Sequence, residues 1–424
     1  MTAQATIANP KDLFWRELGI DHLRARKPGV WRNPLGGPLA TPDEAFGWLR
    51  SASEAWQAKD RRASVRLYSK GKARTLRAGD HPTAEDGSIA GYVRRLDATL
   101  GDAGLVVNNI QSADPEIWRR AQSVLASLAE VDGVRPGAAI LDLFAGAYRS
   151  GFFGVHKDDQ DVVTFVLEGK KRFLLWPYDY FADRPEVAPG SELKVVLLNE
   201  LDYAPYREDA IAIEGEPGDV FCWPAEWWHV AESDGGLCTT LALGLFRDAS
   251  PYRLVDQAAA ELIEEGRAPL ASTLPHPSLG ERRGRASLTD LAGSLGRGLD
   301  APELRDRIEE KALAHATAFG YFARPDPLPR AMALPATVRA PFPGGVAWAE
   351  RDDGILLLSV GGAIFRYPAA RPFVLLLERA ASGARIDVDS TVAALAGDGT
   401  DVEPAALRYL LGLLHRHHAL VAAD

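Results

Sequence analysis

HKDDQDVVTFVLEGKKRFLLWP, running from His156 to Pro177, is the stretch on which the reading of the fold turns. Its body is rich in β-branched and aromatic residues, the pattern of buried strands rather than of a helix. The same texture extends outward. From GLVVNNI at Gly104 to LALGLF at Phe246, short apolar runs alternate with Gly, Asp and Pro, which predicts an all-β barrel or sandwich. Polar residues in such a setting ask for a reason: His156 and Asp158 stand one residue apart at the head of the stretch, and Lys171 lies inside it.

A second segment, GEPGDVFCWPAEWWHVAES, lies downstream. Pro217-Gly218-Asp219 reads as a turn, Val220 to Trp223 as a strand ending at Pro224, and His229 stands at the start of the next strand. Side chains two apart share a face of a strand, so His156 and Asp158 point the same way. With His229 they make two imidazoles and one carboxylate, a set that caps one face of an octahedral metal and leaves three positions open, as Fe(II) and O₂ chemistry requires. A closed structural zinc site wants a fourth protein ligand. Cys222 and Cys238 lack the spacing for one and read as buried, inert thiols. Each half alone has an ordinary reading as well: H-x-D occurs by chance, and a His beside Trp227 and Trp228 can simply pack against them.

Lys171, on the strand that returns beside these groups, is costly to bury without an anion. A dicarboxylate such as 2-oxoglutarate, chelating iron through its 2-oxo acid end, places its distal carboxylate at the far end of the pocket. Lys171 is the candidate for that contact, and Arg172 replaces it if the strand register differs by one. The competing reading is a lysine that snorkels to solvent.

Composition bounds the rest. A chain of 424 residues, 46% of them hydrophobic, exceeds what one core holds and divides into two or three domains. It has no apolar run long enough for a membrane span, and MTAQATIANPKDLF lacks the regions of a signal peptide, so a cytoplasmic location is expected. The net charge of −10 argues against a protein that coats nucleic acid. One basic run, Lys59 to Arg77, reads either as a solvated face or as a contact surface for an acidic peptide or RNA.

Along the chain, residues 1–103 mix helical patterns and turns, an α/β extension of the barrel, and 104–250 hold the catalytic core. Residues 251–324 form a helical region with an apolar stripe at Leu254, Ala258 and Leu262, then a second helix starting at Pro302. RPDPLPRAMALP is proline-rich and places a linker at 325–341. Residues 342–424 read as a small α+β domain: hairpin turns at Asp353-Gly354 and Gly361-Gly362, then three helices, the last with Leu407, Leu410, Leu411 and Leu414 on one stripe.

The combined pattern H-x-D, G-K-K-R-F-L-L-W-P and G-D-V-F-x-x-P-x-x-W-W-H resembles the JmjC-type, cupin-fold 2-oxoglutarate oxygenases. It is most similar to the group of the asparaginyl hydroxylase of hypoxia signalling and the ribosomal protein oxygenases. The match covers about 105 to 247. The resemblance implies a double-stranded β-helix (jelly-roll) core with flanking helices, followed by a helical region and a winged-helix-like domain. It implies iron ligands His156, Asp158 and His229, and Lys171 on the 2-oxoglutarate carboxylate, with O₂ as the other co-substrate. It also implies hydroxylation of a side chain in a protein or peptide, a ribosomal protein being one such substrate, and a homodimer through 251–324. Phe153 stands where the asparaginyl hydroxylase has a Thr, so Thr164 and Tyr148 become the candidates for secondary 2-oxoglutarate contacts. Two other readings stay open. The C-terminal domain resembles leader-peptide recognition modules, which suggests a tailoring hydroxylase of a ribosomally made precursor peptide; alternatively, a metal cupin acts on a small molecule without 2-oxoglutarate.

Overall fold

A computed structural model describes residues 10–70, 72–147, 151, 153–198, 200–233, 235–247, 252–265, 302–321, 323–397 and 402–423. The chain divides into two units: residues 1–248 with 319–330, and residues 249–318 with 331–424.

The first unit opens with α1 (Pro10–Arg16), a π-helical segment Glu17–Arg24 and β1 (Gly29–Trp31). Then follow α2 (Pro42–Gln57), β2 (Ser64–Ser69), β3 (Lys72–Arg74), α3 (Ile89–Leu100), β4 (Ala103–Asn108) and α4 (Pro115–Asp132). Local chemistry sets the helix starts. The Thr41 hydroxyl accepts from the Glu44 amide while Glu44 reaches back, Ser88 caps α3, and Asp114 with Pro115 opens α4. Helix α4 buries Ile117, Trp118, Ala121, Val124, Leu125 and Leu128 on one side, the stripe that a 3.6-residue period predicts.

The remaining strands are β5 (Ala139–Ala147), β6 (Val155–Lys157), β7 (Gln160–Glu168), β8 (Lys171–Trp176), β9 (Val196–Leu198), β10 (Ile211–Gly215), β11 (Val220–Trp223), β12 (Trp228–Glu232) and β13 (Leu237–Phe246). They build two antiparallel sheets. One has eight strands in the order β1-β11-β7-β13-β5-β4-β2-β3, the other five in the order β10-β8-β12-β6-β9. The sheets pack through Val162, Val166, Phe221 and Trp223 of the larger and Phe173, Leu175 and Ile213 of the smaller. This is a jelly-roll core with flanking helices. The boundary expected at 103/104 falls inside β4, and β1 to β3 extend the same sheet that carries β7 and β13. Strand pairing, a long-range property, joins the two segments into one layer.

In the second unit, α5 (Tyr252–Glu264) and α6 (Pro302–Thr317) meet through Ala258, Leu262 and Leu304. The strands β14 (Thr337–Arg339), β15 (Val346–Glu350), β16 (Ile355–Val360) and β17 (Ala363–Pro368) come next, with β15-β16-β17 forming one sheet. Helix α7 (Arg371–Ala381), β18 (Ile386–Asp387), α8 (Val388–Ala396), α9 (Pro404–Arg416) and β19 (Val421–Ala422) complete it. The turns around Gly354 and Gly361-Gly362 and the buried stripe of α9 lie where the sequence places them. The segment read as a linker does not stay irregular throughout. Thr337–Arg339 pairs with β18 on one side and β19 on the other, because Val338 is an apolar anchor for the core. Among the described residues, no helix is long and apolar enough to cross a membrane.

Candidate functional site

Strand β6 is three residues long and lies between β12 and β9 in the smaller sheet. His156 faces His229 directly across the β6–β12 pair, so the two rings rise from the same side, 4.1 Å apart between centroids. The strand ends at Lys157, and Asp158 joins the histidines from the first position beyond it. Its carboxylate lies 3.5 Å from His229 Nε2, and the ligand atoms of His156, Asp158 and His229 all fall within 4.8 Å of one another.

Each imidazole is held by a backbone carbonyl: His156 Nδ1 at 3.0 Å from Gly154 O, and His229 Nδ1 at 3.2 Å from Trp227 O. A carbonyl can only accept, so Nδ1 carries the proton in both rings and the Nε2 lone pairs are left for an electrophile. Gly154 has φ of +61°, the left-handed region, and this turn aims its carbonyl at the His156 ring. Burial pushes the Asp158 carboxyl above its ordinary range, and burial with the neighbouring His156 holds the His229 imidazole well below its own. A neutral imidazole is what a metal needs, and a cation between these groups would reverse the Asp158 shift. Two nitrogens and one oxygen on one side fit a borderline divalent metal such as Fe(II).

These residues sit at a cavity of about 320 Å³ between the two sheets. Strand β8 runs antiparallel to β12 with Leu175 opposite His229 and Phe173 opposite Ala231. By alternation Lys171 faces the same side, and it lines the cavity at 4% exposure, its ammonium 5.3 Å from the Phe173 ring. Arg172 points the other way and pairs with Glu214. Thr164 lines the cavity from β7, buried, its hydroxyl without a hydrogen-bond partner among the described residues. Phe153 packs between the rings of Tyr68 and His156. Tyr148 lies outside the described residues.

Several cavity residues escaped the sequence reading. Trp223 Nε1 and Gln160 Oε1 are also buried there without partners among the described residues, polar atoms that a bound ligand would satisfy. A Cβ at Gly244 would come within 2.2 Å of Gln160 Oε1, so a larger residue there would make the Gln160 side chain shift from its place in the cavity. Asp142 accepts from Asn108 Nδ2 at 2.7 Å and from the Asn109 amide at 2.9 Å, and burial pushes its carboxyl up to about 6. A lone carboxylate in the apolar run AAILDLFAG was the available signal for it. Asp161, by contrast, faces away from the cavity and is tied to Arg26 at 2.6 Å and Arg135 at 3.0 Å.

Residues 50–243 match the family described as cupin-like domain. None of the curated proteins matches the chain. Among solved structures, one of YcfD from Escherichia coli is 16% identical, with 99% of this chain and 100% of that chain covered and a TM-score of 0.54. A structure of YcfD, described as a ribosomal oxygenase, with cobalt and succinic acid is 15% identical over 96% of this chain and 97% of that one, with a TM-score of 0.54. Another, with cobalt and 2-oxoglutarate, has the same identity and coverage and a TM-score of 0.52. Residues 50–243 are thus similar to the cupin-like domain family, in a chain similar in fold to these YcfD structures.

Proposed function

We propose that this chain is an Fe(II)- and 2-oxoglutarate-dependent oxygenase that hydroxylates an amino-acid side chain in a protein or peptide. The observation that carries the reading is the convergence of His156, Asp158 and His229 on a cavity that also holds Lys171 and Thr164. The complexes of YcfD with cobalt and 2-oxoglutarate, which share the fold, support a metal and co-substrate of this kind. When bound, iron and 2-oxoglutarate supply the oxidant for C–H hydroxylation, O₂ being consumed and succinate and CO₂ released.

The chain's own residues do the positioning. The Lys171 ammonium takes the distal carboxylate of 2-oxoglutarate, and the Thr164 hydroxyl donates to the same group. The rings of Phe153, Phe173 and Trp223 wall the cavity beside the triad. The carbonyls of Gly154 and Trp227 fix the two imidazoles so that Nε2 faces the metal.

The fold neighbours are named as ribosomal oxygenases, and a ribosomal protein in the cytoplasm is the substrate we place first. Residues 251–324 read as dimerisation helices, to be checked by sedimentation equilibrium of the full chain. Sheet β15-β16-β17 with α7, α8 and α9 reads as winged-helix-like. Among the described residues, β15 and β17 each pair on one side alone, with β16. Such edges can accept an extended peptide, which favours a second reading: tailoring of a ribosomally made precursor peptide recruited by this unit.

Anaerobic titration of the Fe(II)-loaded protein with 2-oxoglutarate tests the reaction class. A metal-to-ligand charge-transfer band in the visible is expected, and Lys171→Ala should weaken it. Iron binding without such a band would overturn the reading in favour of a metal cupin that does not use 2-oxoglutarate.

A further inference from the structure

Lys157 stands between two of the proposed metal ligands and takes no part in the triad. It faces the opposite side of β6 from His156 and is 0% exposed. Its ammonium donates to the backbone carbonyls of Ser191, of Glu192 at 3.1 Å and of Lys194 at 2.6 Å. The rings of Tyr178 and Trp228 lie 5.3 and 5.8 Å from it. Its hydrogen-bond partners are thus neutral carbonyls and not a carboxylate.

Burying an ammonium costs several kcal/mol, and carbonyl dipoles and ring faces offset this only where all of them converge. An apolar side chain would fill the back of a sheet without that cost. What the charge adds is a fixed geometry between two pieces of chain: the metal-motif strand β6 and the segment 191–194 that leads into β9.

Strand β9 forms an edge of the smaller sheet and pairs with β6, Leu198 opposite Val155, Leu197 opposite His156, and Val196 opposite Lys157. Val195 and Leu197 line the mouth of the cavity and stay about half exposed, at 52% and 46%. Strand β6 itself meets β12 through a single pair, His156 with His229. A short strand and a short edge are therefore joined by the Lys157 side chain across the back of the site.

We propose that Lys157 is a positioning residue that couples the triad to the mouth of the cavity. It makes the backbone of His156 to Asp158 and the segment 188–198 move as one body, so a cation at the triad orders the mouth. The coupling half rests on the metal reading above; the clamp half does not.

The test uses the full chain, hydrogen exchange read by mass spectrometry, and Co(II) as the probe, its uptake followed by visible absorption. Lys157→Met should speed exchange over 188–198 by ~10-fold or more, leaving the β2–β3 hairpin unchanged, since only the clamped segment loses its anchor. Added Co(II) should slow exchange over 188–198 in the natural protein and have no such effect in the variant. Unchanged exchange over 188–198 in a folded Lys157→Met protein overturns the clamp. Co(II) uptake that leaves exchange there unaltered in the natural protein overturns the coupling. Absence of any Co(II) absorption strikes the metal reading instead, and the clamp is then judged on Lys157→Met alone. Should that variant not fold, acetylation of the natural protein by an N-hydroxysuccinimide ester decides: Lys157 should react far more slowly than exposed Lys170, and equal rates overturn the proposal.

Discussion

Asp142 shows how much one residue can carry. Its carboxyl, pushed up to about 6 by burial, holds a proton more tightly in the folded chain than in the unfolded one. Its contribution to stability is fully present below the unfolded value near 4 and is lost as pH rises through about 6, roughly 3 kcal/mol in all. Urea unfolding of the metal-free protein should therefore show a gain between pH 7 and pH 5 that Asp142→Asn lacks; an equal gain in both proteins would remove the assignment. Lys171 gives the complementary case for ligand binding. Loss of a charge-assisted contact to a carboxylate costs about 1.5–3 kcal/mol, so Lys171→Ala should weaken 2-oxoglutarate binding by about 10- to 100-fold. Isothermal titration with Co(II)-loaded protein reads it. His156→Ala should abolish succinate formation, and ordinary turnover in that variant would sink the triad.

At the scale of elements, the site depends on how short pieces are presented. Strand β6 has three residues, and the ring it offers is set by the left-handed turn before it, at Gly154. Ala in that conformation costs ~1–2 kcal/mol, and relaxing the strain moves the carbonyl that orients His156. Gly154→Ala is thus expected to weaken Co(II) binding and lower stability together, read from the visible titration and the unfolding midpoint. Had the substitution lowered stability with full metal affinity, the turn would matter to folding and not to the site. The sequence left the side of β8 open between Lys171 and Arg172, because Phe173 to Trp176 are apolar on both faces; pairing with β10 and β12 sets Lys171 on the side of Phe173 and Leu175 and Arg172 toward Glu214.

Across the whole molecule, the chain leaves the second unit for residues 319–330 and then returns to it. Within the first unit, Tyr321 packs on Trp118 and Asp326 pairs with Arg62. Within the second, the Thr317 hydroxyl at the end of α6 lies 2.7 Å from that of Ser359 on β16 and accepts from the Gly362 amide at 2.9 Å. Both hydroxyl residues are fully buried. Thr317→Val strips these groups of a shared partner and should cost about 1–3 kcal/mol, seen as a lower melting temperature with Co(II) binding unchanged.

The sequence by itself determined what local pattern can carry. The alternation of the strands, the turn at Pro217-Gly218 and the shared side of the H-x-D pair depend on residues close in the chain, where strand period and turn chemistry act. The tertiary structure alone decided which strands lie side by side. The order β11-β7-β13-β5-β4-β2 brings Trp223, Gln160, Gly244, Asp142, Asn108 and Arg66 around one cavity. The packing of β9 against β6 turns Lys157 from an unremarked letter between two ligands into a buried clamp. Neither could be read ahead, because apolar strands of similar composition pair equally well in isolation. Their order is selected by the burial of both sheets at once, a cooperative property of the whole core.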